Sequence, residues 1–195
     1  MSRFDRKQVN WYATQKLEPY SFVCGHCNNQ VSSSLGYKTG HYIDGSGEEK
    51  GGVYICPHCH GPTIVAPDGT RLPDVPIGNS VDHVPQDLVD LYEEARRCTS
   101  TGCYTASVLV CRKIIMHIGV ANGADEGKNF LYYVDHLADA GFVPPNGKTW
   151  VDHIRKKGNE ANHEIKLITR DDTRELIVFI EMLLRFIYEF PAMMP

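Results

Sequence analysis

The sequence predicts an α+β chain, in which a small β module precedes an all-α antiparallel helical bundle. Three observations carry this reading. Short β-branched and aromatic runs at 20–23, 52–55 and 63–65 lie in a stretch rich in Gly, Ser, Tyr and His. Residues 67–86 then hold Pro67, Pro73, Pro76 and Pro85 with Gly69 and Gly78, which excludes a regular helix or a central strand. Beyond Pro85 the apolar residues fall into helical period.

Taken in order, residues 1–19 form an N-terminal segment with scattered aromatics (Phe4, Trp11, Tyr12) and no element of its own. Residues 20–66 are the β module, with tight turns between its short runs. Residues 67–86 are expected as a semi-extended linker. Residues 87–191 are the bundle. Leu88, Leu91, Tyr92 and Ala95 recur at i, i+3, i+4 and i+7, and 104–118 is strongly apolar. Phe130, Leu131, Val134 and Leu137 mark a third helix, stopped by Gly141 and Pro144-Pro145, and 150–165 reads as a fourth. Asp171-Asp172-Thr173 is expected to cap a last helix over 174–190, which Pro191 stops. Five helices joined by short connections imply antiparallel neighbours.

Composition bounds the function. The chain has 195 residues, 42% hydrophobic, with 20 Lys+Arg against 24 Asp+Glu and a net charge of −4. That excludes a fully disordered chain and a bulk positive charge for nucleic acid. Residues 1–80 carry 7 basic and 7 acidic side chains, so residues 81–195, with 13 and 17, hold the whole excess. No run of roughly 18 apolar residues is apparent, so no membrane span is expected. The first ten residues are polar and charged, without a secretory apolar core. Seven cysteines, an odd number, fit a reducing compartment, and a cytoplasmic location is the expectation.

Four cysteines form two pairs, Cys24-Gly25-His26-Cys27 and Cys56-Pro57-His58-Cys59, each just after a β run. The C-x-x-C spacing lets both thiolates of a tight turn face one metal, and two such turns make a four-thiolate site suited to zinc. The β module is thus expected to be a zinc ribbon with one structural Zn2+ per chain, held by Cys24, Cys27, Cys56 and Cys59. A module of this size buries little core and needs such a staple. His26, His58 and His60 are expected as turn residues, with His60 a weaker alternative to Cys59 as ligand. No βαβ pattern surrounds either pair, which argues against redox chemistry there.

Cys98, Cys103 and Cys111 are most simply small buried residues. Arg112 lies in an apolar run and is expected to pair with Glu94 or Glu181. His117 and His136 lack a second ligand at obvious spacing. Arg155-Lys156-Lys157 with Lys166 and Arg170 makes a modest basic patch.

Several phrases in the helical half belong together: 91–96 (Leu-Tyr-Glu-Glu-Ala-Arg), 102–106 with Arg112, 150–155 running into Gly158-Asn159-Glu160-Ala161-Asn162-His163, and 181–185 ending in 188–191. On these phrases the last 105 residues resemble a bacterial domain-of-unknown-function family of the HEPN superfamily. The resemblance implies a HEPN-like bundle that forms a homodimer. In active members it implies metal-independent cleavage of RNA by an Arg-polar-His signature. Asn159 matches the polar position and His163 the histidine, but Gly158 stands at the arginine position. Arg155, one turn earlier, shares a helix face with Asn159 and His163. Gly158 cannot stabilise phosphate charge, while Val151, Ile154, Ala161 and Ile165 make the same helix a core element.

Three functions compete. The chain is expected first as a binding or accessory protein that docks RNA, DNA or a protein partner, in a restriction or phage-defence setting. The second is a metal-independent endoribonuclease using His163, and the third a purely structural subunit of a larger complex. Among enzyme classes, no Gly-rich phosphate loop, Ser-His-Asp series or carboxylate-metal cluster is present in the sequence.

Overall fold

In the computed structural model, the structure describes residues 10–39, 51–143, 150, 154 and 167–194. The architecture is α+β, an antiparallel β-sheet followed by helices, as the sequence predicts. The chain divides into two compact units, Met1–Pro76 and Ile77–Pro195.

The first unit is a five-stranded antiparallel meander in the order β1-β2-β3-β4-β5. Its strands are β1 (Gln15–Val23), β2 (Gln30–Lys38), β3 (Gly52–Ile55), β4 (Pro62–Val65) and β5 (Arg71–Leu72). β1 starts five residues before the expected run. Its register against β2 shifts between Lys16 and Tyr20, the stretch that holds Pro19, which has no N–H for a ladder bond. Leu17, Phe22, Tyr54, Val65 and the cysteines Cys24, Cys56 and Cys59 make a small core. Tyr20 packs on Phe22 and Tyr54.

The expected linker 67–86 is not a linker along its length. Its start folds into a hairpin turn: Asp68 Oδ1 accepts from the Thr70 N–H at 2.8 Å, and the Ala66 N–H donates to Thr70 O at 2.8 Å. Arg71–Leu72 then pairs with β4. The end of the segment joins the helical core, where Ile77 and Val81 are buried. Prolines and glycines that forbid a helix still permit a turn, a two-residue edge strand and a packed extended segment.

The second unit contains α1 (Gln86–Ser100), α2 (Tyr104–Ala121), α3 (Phe130–Asp139), α4 (Arg170–Leu184), a π-helical turn Arg185–Glu189 and a short α5 (Phe190–Met193). α1 follows Pro85 and buries Leu88, Tyr92 and Ala95 of the predicted stripe, with Leu91 half-buried. α2 lies among α1, α3 and α4. It is the one described helix long and apolar enough by length and composition to cross a bilayer, contrary to the expectation that no such run exists. Eight of its residues are buried inside the helical core, Arg112 among them.

The expected cap of the last helix moves upstream. Thr169, not the 171–173 group, is the N-cap, and Asp172 is the third residue of a capping box. Pro191 does not end the helical path either. It occupies the first turn of α5, where its missing N–H costs nothing, and the wider π turn precedes it. The helix expected over 150–165 lies mostly outside the described residues. Of it, Trp150 packs edge-on against Phe179 at 5.2 Å and Ile154 is fully buried.

Candidate metal centre

Both C-x-x-C turns are built alike. In the first, the Cys24 N–H donates to Asn29 O at 3.0 Å and the Asn28 N–H to Cys24 O at 2.8 Å. In the second, the Cys56 N–H donates to Gly61 O at 2.9 Å and the His60 N–H to Cys56 O at 2.9 Å. Each turn needs a left-handed residue four places after its first cysteine. Asn28 (φ 58°) and His60 (φ 60°) supply it, both types that tolerate the region better than most. His60 is therefore a turn residue, and Cys59 is the fourth member of the sulfur cluster.

The four sulfurs converge. All lie within 4.8 Å of one another, and they form the only such cluster of potential ligands among the described residues. Cys24 Sγ and Cys59 Sγ are 3.7 Å apart, and Cys27 Sγ and Cys56 Sγ 3.8 Å. A tetrahedral zinc with bonds of about 2.3 Å requires sulfurs about 3.8 Å apart. The donor set and its spacing thus fit a four-thiolate metal site.

The surroundings prepare thiolates unevenly. Burial works against the Cys27 thiolate, but the side-chain amide and backbone N–H of Asn29 and the neighbouring thiols outweigh it, and Cys27 is held down to about 6. Burial pushes Cys59 up to about 11, against the pull of the Gly61 N–H, 3.4 Å from its sulfur. Cys24 is likewise pushed up by burial, although the His26 and Cys27 amides favour its charged form. A bound cation would replace those protons, so metal uptake releases them.

Around the ligands lies a shell that the spacing alone does not reveal. The His26 ring bonds Pro62 O at 2.9 Å, and a side chain at Gly61 would run into that ring at 2.4 Å. Asn29 Nδ2 bridges to His58 Nδ1 at 3.2 Å. Trp11 Nε1 donates to His60 O at 2.8 Å, and the Trp11 ring meets Tyr37 edge-on. Trp11 thus ties the N-terminal segment to the second turn. Only its aromatic character in a polar segment was a signal.

A model of a family described as a domain of unknown function, DUF4145, matches residues 93–193. The chain belongs to the DUF4145 family. No curated protein and no solved structure matches it. The DUF4145 region opens inside α1 and runs to the last residue of α5. Arg155, Asn159 and His163, the face proposed for binding or, in the alternative, for catalysis, lie outside the described residues.

Arg112 does not pair with Glu94 or Glu181. Its guanidinium lies 4.4 Å over the Phe130 ring, Nη1 has no hydrogen-bond partner among the described residues, and burial pulls its pKa down. Glu181 is taken by Asn79 and Arg185. His136 bonds Asn122 O at 3.0 Å, and His117 is exposed. Of the three remaining cysteines only Cys111 is buried; Cys98 is half-buried and Cys103 exposed.

Proposed function

We propose that this chain is a zinc-ribbon binding protein with a HEPN-like helical unit that pairs two chains. One structural zinc per chain is held by Cys24, Cys27, Cys56 and Cys59. The closed thiolate cluster carries the reading. Every donor is a protein sulfur, so no position is left for a water or substrate, and the metal staples instead of reacting.

A stapled sheet presents a surface. Beside the second turn lies a cleft of about 440 Å3, lined by Trp11, Ser32, Ser34, Leu35, Pro57 and His60 among others. Its described lining residues include no Lys or Arg, so it suits a segment of a protein partner better than a phosphate backbone. On the helical unit, Val178, Phe186, Phe190 and Met193 are exposed along the last helical path. An apolar row of this kind supports pairing of two copies.

Four measurements test the proposal. Elemental analysis is expected to give one zinc per chain, and folded protein without zinc would remove the staple. Sedimentation is expected to show a dimer that Phe186→Asp dissociates. Panning a displayed random-peptide library on the zinc-loaded protein is expected to enrich binders that Trp11→Ala abolishes. RNA incubated without divalent ions is expected to stay intact. Robust cleavage, lost in His163→Ala, would replace binding with the endoribonuclease reading.

A further inference from the structure

The connection between α1 and α2 holds a second thiol pair that the metal centre does not use. α1 ends at Ser100, Thr101 is its cap, and Gly102 follows at φ 76°. The Gly102 N–H donates to Thr99 O at 3.4 Å, and the Cys103 N–H donates to Cys98 O at 2.9 Å. This double termination needs a left-handed residue, which glycine supplies without strain. It also sets the side chain two places past the cap against the one three places before it. Here those positions are Cys103 and Cys98.

The 2.9 Å bond limits their separation. Standard backbone lengths then hold the two Cα atoms no more than about 7 Å apart, at the outer edge of the span a disulfide bridges. Access is graded. Cys103 is exposed, with Thr101 Oγ1 3.6 Å from its sulfur, Cys98 is half-buried, and Cys111 is fully buried.

We propose that Cys98 and Cys103 form a reversible dithiol–disulfide site, oxidised by a low-molecular-weight disulfide such as oxidised glutathione. Exposure makes Cys103 the attacking sulfur. After giving its proton to solvent, it attacks one sulfur of oxidised glutathione. That S–S bond breaks, one glutathione leaves as thiolate, and a mixed disulfide remains on Cys103. Burial holds Cys98 up in the thiol form, so it acts second. It loses its proton to solvent and attacks the Cys103 sulfur, and the second glutathione leaves. Two protein thiols are oxidised and one glutathione disulfide is reduced to two glutathiones. The bridge ties the end of α1 to the start of α2, and its exposed position favours reduction by excess thiol. This site is independent of the zinc and of partner binding.

The test uses the full-length chain exposed to oxidised glutathione, alkylated, and digested with chymotrypsin. Cleavage after Tyr104 separates Cys98 and Cys103 from Cys111. The wild-type peptide ending at Tyr104 is expected to lose two hydrogens and to regain them with excess reduced glutathione. Cys98→Ser is expected to retain a glutathione adduct on Cys103, and Cys111→Ser to behave as wild type. Two alkylated thiols in the oxidised wild type, an adduct that Cys98 never displaces, or a bridge from Cys98 to Cys111 would each overturn the proposal. The wild-type map needs no variant to fold.

Discussion

Arg96 shows how one side chain orders a segment that has no regular structure. It is buried on α1, with Nε donating to Ile77 O at 3.2 Å, Nη2 to Gly78 O at 2.8 Å and Nη1 to Glu93 Oε1. The planar fork thus satisfies two carbonyls of the segment that leads into α1. Lysine keeps the charge but has no fork to divide between them. Arg96→Lys is expected to lower stability of the helical unit by about 2–4 kcal/mol, the scale of charged hydrogen bonds lost in a buried site. The midpoint of a denaturant titration followed by far-UV circular dichroism measures it. At the metal centre the equivalent change is categorical. Cys27→Ser removes one of the four clustered sulfurs, and zinc content per chain is expected to fall well below one, read by elemental analysis. Trp11 and Asn29 belong to the same scale. Both hold the cysteine turns through hydrogen bonds, and no spacing rule announces a bond between residues 49 apart.

Among the elements, α4 has the most explicit start signal. Thr169 Oγ1 accepts from the Asp172 N–H at 3.2 Å, and Asp172 Oδ2 accepts from the Thr169 N–H at 3.0 Å. Two otherwise orphaned donors are satisfied reciprocally. Thr169→Ala is expected to cost about 1 kcal/mol of helical-unit stability, visible as a lower thermal midpoint. Asp172→Asn retains an acceptor oxygen and is expected to cost less. The 171–173 group looked like the cap because its three residues are all good N-caps. A capping box is recognised by a pair three apart, and Thr169 with Asp172 is that pair. The Pro/Gly segment 67–86 departs from the expected linker for a related reason. Proline and glycine mark where helices and central strands cannot be, yet are silent about whether the excluded segment packs.

For the molecule as a whole, the two units stand on different sources of stability. The helical unit has a large apolar core drawn from α1 to α4, while the apolar cluster of the β unit has seven buried members among the described residues, three of them cysteines of the sulfur cluster. A core that small does not offset chain entropy unaided. Chelation of zinc is expected to melt the β unit while the helical unfolding midpoint stays in place. Near-UV signals from Trp11 and Tyr37 follow the first, and far-UV ellipticity at helical wavelengths follows the second. Acid is expected to act like chelator on the β unit, because thiolates must stay deprotonated to hold the metal and protons compete as pH falls.

The α+β class, the order of the units, the positions of α1, α2 and α3, and the four converging cysteines were legible in the sequence alone. Each is encoded locally, by a period of 3.6, by a β run closed by a turn, or by two cysteines one turn apart. Other features were decided only in three dimensions: the division of residues 67–86 between the units, the docking of Trp11 on the second turn, the stacking of Arg112 on Phe130 and the thiol pair at the end of α1. Arg112 makes the reason plain. A charge in an apolar run announces that it needs a partner, and Glu94 was near in sequence. The partner taken was an aromatic face 18 residues away, because α2 and α3 pack together and buried surface, not sequence distance, selects which groups meet.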